Sequence, residues 1–137
     1  MGGPGGPGGI LAQLRELDLT DAQRAQVRNA MESHKAEFEA QATSMMAARQ
    51  ALHEAVTAEA FDEATIRQKS ADVAALEADG AVLRARVHAE VWAQLTPEQQ
   101  QKALDLKASI AKRFEQMRER FEQQRGQRQE RRQQRRG

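Results

Sequence analysis

The 137-residue chain contains no Cys and no Tyr, one Trp and four Phe. Without Cys there is no disulfide framework, no thiol nucleophile and no thiolate metal site. Three His and no Tyr leave few groups suited to general acid–base work near neutral pH. Dinucleotide and phosphate glycine motifs, HExxH and GxSxG are missing as well. No apolar run approaches the ~18 residues that span a bilayer. Strand signals are absent too: there are no alternating β-branched runs and no Asn-Gly or Asp-Gly turns. These gaps predict an all-α protein that is not an enzyme, needs no cofactor and has no membrane span. The length allows one domain.

What is there is charge, Ala and Gln. Lys and Arg number 21 against 20 Asp and Glu, but the balance is uneven along the chain. Residues 125–137 carry six Arg against Glu130, so a body that is mildly acidic bears a strongly basic end. The expected organisation is a Gly/Pro leader at 1–9 with nothing to bury, a helical domain at 10–124 and an Arg/Gln tail at 125–137. The leader has neither the charged region nor the apolar stretch of a secretory signal. Such a chain is either cytosolic or a form from which a signal has been removed.

Between Ile10 and Gln124 only Gly80 and Pro97 interrupt residues that favour helix. A short helix is expected at Ile10–Leu17, where Ile10, Leu11, Leu14 and Leu17 share a face. Thr20 and Gln23 then form a capping box, and Asp21 adds a favourable charge to the first turn. The helix they open has a seam at spacings of three and four: Val27, Met31, His34, Phe38, Gln41, Met45, Ala48, Leu52 and Ala55. A turn follows near Thr57–Asp62, with either residue as the next cap. The returning helix buries Ile66, Val73, Leu76, Leu83, Val87, Val91 and Leu95, with Gly80 marking a close crossing, a bend or drift. Thr96, Pro97 and Gln99 start a last helix, again with a capping box, and Pro97 stands at the first helical position. Its expected buried row is Ala103, Leu106, Ile110, Phe114, Met117 and Phe121.

Two helices of about 35 residues would each run roughly 50 Å. A compact globule of this length measures only about 35 Å across. The expectation is therefore an elongated antiparallel hairpin with a short flanking helix, its seam completed by a second copy in a homodimer.

Two copies of Leu-Thr-x-x-Gln, Leu19–Gln23 and Leu95–Gln99, each open a long helix. With the Phe61-Asp62-Glu63-Ala64 turn and the Leu-Thr-Pro-Glu-Gln form of the second copy, residues 10–124 resemble the LTxxQ family of Spy/CpxP-like periplasmic proteins. That family also includes metal-responsive proteins of the ZraP and CnrX type. The resemblance implies a cradle-shaped antiparallel dimer in the periplasm. For the Spy-like branch it also implies ATP-independent holding of unfolded or partly folded clients under envelope stress. Within the two motifs, Leu19, Thr20, Gln23, Leu95, Thr96 and Gln99 are structural. Arg28, Lys35 and Arg49 recur at multiples of seven beside the seam, and Met46 falls off it. Long cations beside a flexible thioether suit loose binding of many sequences, so these four residues are the candidate client surface.

Metal sensing is the alternative within the family. Metal-binding relatives use a His-x-x-x-Met before the second motif, and here His88 and Trp92 stand at that place. His88 is thus a weak candidate ligand beside the expectation of no metal. His34 and His53 lie 19 positions apart on one helix, about 28 Å along its axis. They cannot chelate together, and His34 reads as a core or dimer-contact residue. A further alternative is a tail that binds nucleic acid or another anionic surface through Arg128, Arg131, Arg132, Arg135 and Arg136. The acidic body and the lack of interleaved aromatics argue against nucleic acid and for a solvated tail.

Overall fold

A computed structural model describes residues 13–137. The leader and the first residues of the expected opening helix, Ile10 and Leu11, lie outside the described residues. Every regular element among the described residues is helical. Of the span expected as the opening helix, the described part is helical at Gln13 and continues as a 3-10 turn at Leu14–Glu16. Four α-helices follow: α1 (Asp21–Ser33), α2 (Lys35–Val56), α3 (Glu63–Ala93) and α4 (Pro97–Arg136). Two compact units divide after Leu95, the first containing α1–α3 and the second α4.

In the first unit, Asp18 takes the left-handed backbone region at φ 51°, where a short polar side chain is tolerated, and it separates the 3-10 turn from α1. Thr20 is extended, and its hydroxyl accepts from the Gln23 N–H at 3.1 Å. The Gln23 side-chain oxygen accepts from the Thr20 N–H at 3.0 Å, completing the box read from the sequence. Gln23 also does something the motif does not announce: its Nε2 donates to the Gln94 carbonyl, 3.0 Å away just past the end of α3. One side chain both caps α1 and ties it to the far end of the hairpin. Thr20→Ala is expected to cost about 1 kcal/mol. Gln23→Ala should cost roughly twice that, because it removes two side-chain hydrogen bonds at once, to the Thr20 N–H and to the Gln94 carbonyl. Urea melts of the two variants check the order.

The single long helix expected from Thr20 to Ala55 is two helices. At His34 (φ −103°, ψ 1°) the chain leaves α1, with its N–H turning back to the Met31 carbonyl at 3.3 Å. The His34 carbonyl then accepts from the Phe38 N–H at 3.0 Å and starts α2. The break preserves the seam. Val27 and His34 are buried, and Met31, Phe38, Gln41, Met45, Ala48, Leu52 and Ala55 are all half-buried.

Of the two candidate caps in the turn, Asp62 serves: its carboxylate accepts from the Thr65 N–H at 3.2 Å and from the Thr65 hydroxyl at 2.7 Å. Thr57 instead closes α2, its hydroxyl donating to the His53 carbonyl at 2.8 Å. The α3 helix returns antiparallel against α2 and also packs on α1. Gly80 marks a close crossing. A Cβ built there would lie 2.9 Å from Gln41 Nε2, whose amide donates to the Leu76 carbonyl.

The core sits at one end of this unit. Leu83, Val87, Val91 and Leu95 are buried together with Leu17 and Val27, and Val91 has 0% exposure. Toward the turn, Ile66, Val73 and Leu76 are only half-buried, and α2 contains no buried residue at all.

In the second unit Thr96 and Gln99 repeat the capping box, at 3.2 and 2.9 Å, with Pro97 at the first helical position. The helix runs unbroken to Arg136, where the sequence reading has it fade near Gln124. Of its expected buried row only Ala103 is buried, and Leu106 and Ile110 are half-buried. Phe114, Met117 and Phe121 are exposed.

Candidate functional site

The open seam of the hairpin forms a groove of about 690 Å³ between α2 and α3. Phe38 and Met45 supply its apolar wall from α2. Ala42, Ala78, Gly80 and Ala81 keep its floor low, and Arg49 and Arg84 stand at the rim. Arg49 reaches across to Glu77 on α3 at 3.4 Å. Both partners are largely exposed, so the pair leaves the guanidinium available to another anion at little cost. The other side of the hairpin has a shallower groove of about 500 Å³ that includes Leu76, Val82 and Arg86.

The four candidate client residues do not form one surface. Arg49 rims the main groove, whereas Arg28 lines a separate pocket on α1 with Leu14, Leu19 and Val27. Lys35 is exposed at the start of α2, just past the His34 break. Met46 is 74% exposed, off the seam as its position next to Met45 requires, but it lines none of these grooves. The seam pattern contains Phe38 and Met45 but neither Glu77 nor Arg84. The last two lie seven residues apart on α3, a spacing visible in the sequence. Nothing in the sequence, however, aligns α3 with Arg49 on α2.

His34 is the densest electrostatic point of the first unit. Its Nε2 lies 2.8 Å from Glu90 on α3 and its Nδ1 lies 3.0 Å from Glu37 on α2. Glu37 in turn faces Arg86 of α3 at 3.6 Å. The Glu90 contact, then that to Glu37, raises the imidazole pKa above its ordinary 6.5, more than burial lowers it. An imidazolium donates to both carboxylates, while a neutral ring can donate to only one. Because the folded pKa is raised, the stability this joint contributes is fully present below about pH 6.5 and is lost as pH rises through the folded pKa. The melting temperature is therefore expected to fall across the range just above pH 6.5, and His34→Gln should flatten that slope. Thermal melts of the two proteins at matched pH values check it.

As a metal centre the arrangement fits poorly. The two carboxylates occupy opposite nitrogens of the His34 ring, so they do not converge on one ion. His88 lies with its ring stacked on Trp92, centroids 5.8 Å apart and planes 14° from parallel. Among the described residues no three of His, Asp and Glu are grouped to hold an ion. No described helix is long and apolar enough to cross a membrane.

No curated protein and no solved structure matches the chain. A family model described as heavy-metal resistance matches residues 1–102, from the leader through both Leu-Thr-x-x-Gln caps and the whole hairpin between them. That family is related to the LTxxQ proteins of the Spy, CpxP and ZraP type, in keeping with the resemblance carried by the two motifs. The match covers most of the chain and includes both caps, and the chain belongs to the heavy-metal resistance family.

Proposed function

We propose that this protein is an ATP-independent periplasmic chaperone that holds unfolded or partly folded proteins during envelope stress, without catalysing a reaction. The observation that carries this reading is the unclosed seam: α2 has an apolar row and no buried residue. Phe38 and Met45 instead face a groove rimmed by Arg49 and Arg84. Apolar side chains with a cationic rim accept many sequences without demanding one shape. The family's description fits such a role. Soft metal ions seize the thiolates and imidazoles of other proteins. A chain with no Cys and three His presents few such ligands itself. A second copy packing against the hairpin so as to leave this groove open would build the antiparallel cradle that the resemblance implies.

The test is aggregation of a denaturant-unfolded client diluted into buffer without ATP. Suppression is expected at a few-fold molar excess, with Arg49→Ser and Met45→Ser each weakening it several-fold while helicity by circular dichroism is kept. Unchanged client aggregation at that excess would overturn the chaperone reading. The second reading, a metal-responsive regulator, is favoured by the family match. It would be supported by suppression that disappears with chelator and returns with added metal.

A further inference from the structure

The distal half of α4 combines three features that the sequence presents separately. Phe114, Met117 and Phe121 are 48%, 62% and 66% exposed, and their spacing of three and four puts them on one stripe. Because the helix does not end at Gln124, the Arg-rich terminus shares its axis and its phase. At about 100° per residue, Arg113 and Arg120 fall on one edge of the stripe, and Arg118 and Arg125 on the other. Arg128 and Arg132 continue the stripe itself. All nine Arg of residues 113–136 lie within about 90° of its centre. The four Glu of the same segment, Glu115, Glu119, Glu122 and Glu130, all lie on the opposite face.

This segregation selects the occupant. A second copy of the same helix would bring arginine edges against arginine edges, and like charges at those positions repel. A nucleic acid would use the arginines and leave the Phe/Met stripe unmatched, with no interleaved aromatic platform. We infer that residues 113–136 form a cationic amphipathic helix that lies on an anionic phospholipid bilayer. Phe114, Met117 and Phe121 enter the headgroup–acyl boundary, and the flanking arginines meet lipid phosphates. Long arginine stems suit that geometry, because they bury their methylenes while the guanidinium stays at the headgroup level. The four glutamates face water. This lipid contact is independent of the groove in the hairpin and does not rest on client holding.

Co-sedimentation of the full chain with vesicles tests the assignment, using phosphatidylcholine alone and phosphatidylcholine with a third phosphatidylglycerol. Binding is expected only to the second kind. An arginine near an anionic surface contributes about fivefold in affinity. The triple variant Arg118→Gln/Arg120→Gln/Arg125→Gln should therefore bind at least tenfold more weakly. Phe114→Gln/Met117→Gln/Phe121→Gln should lose a similar factor, with helicity unchanged by circular dichroism. No binding to anionic vesicles, or equal binding to both kinds, overturns the proposal. Full binding by the Phe/Met variant would also overturn it, reducing the helix to a simple polycation. Duplex DNA that competes the protein off the vesicles and binds the Phe/Met variant undiminished would reassign the surface to nucleic acid.

Discussion

Leu83→Ala is expected to destabilise the first unit by about 3 kcal/mol. Leu83 is 6% exposed and belongs to the buried set that includes Val87 and Val91, so truncation leaves a void among side chains that are packed on every side. Leu76, seven residues nearer the turn, is half-buried on the same helix. Leu76→Ala should cost about half as much in an isolated chain, because less apolar area is lost from cover. Chemical denaturation of both variants measures the ratio. It also reads the state of the seam: if a second copy covers α2 and α3, the Leu76 cost rises toward that of Leu83 and becomes concentration-dependent.

Gly80→Leu is the second substitution with a large expected effect. The glycine lies where α3 passes closest to Gln41, and even a single added carbon would sit 2.9 Å from that amide. Alanine there sets a gain of about 1 kcal/mol in helix propensity against the loss of the Gln41–Leu76 bond, worth about 1 kcal/mol. Gly80→Ala should be nearly neutral. Leucine adds three more carbons that have nowhere to go except between the helices, at about 2–3 kcal/mol. It also fills the floor of the groove. Its client-holding activity should fall more than that of Gly80→Ala, which separates the groove from the fold in one pair of proteins.

Much of this architecture is legible in the residues because helices are local objects. Both capping boxes, the seam from Val27 to Ala55 and the buried run from Leu83 to Leu95 follow from spacing and cap chemistry alone. The break at His34 does not. The ring's two carboxylate partners come from Glu37, one turn away, and Glu90, 56 positions away, and only the folded hairpin brings the second within reach. The same limit explains the dispersed client residues. Arg28, Lys35 and Arg49 keep a seven-residue phase on a continuous helix, but the break separates Arg28 from the groove that Arg49 rims. The Arg-rich terminus differs from the solvated tail expected from its charge for another reason. Arg and Gln are good helix formers, net charge does not set where a helix ends, and α4 continues to Arg136.

The six residues between α2 and α3 set the order in which the hairpin closes. Contacts near the turn join residues 28 and 35 positions apart, as in Arg49–Glu77 and Gln41–Leu76. Those at the base, His34–Glu90 and Gln23–Gln94, span 56 and 71. Chain closure therefore favours zipping from the turn downward, through the least buried contacts first, with the densest packing completed last. Interactions formed after the folding barrier act chiefly on the rate of escape from the native state. The well-packed base thus acts as a late-closing clasp: truncations there should hasten unfolding while leaving the speed of refolding nearly untouched.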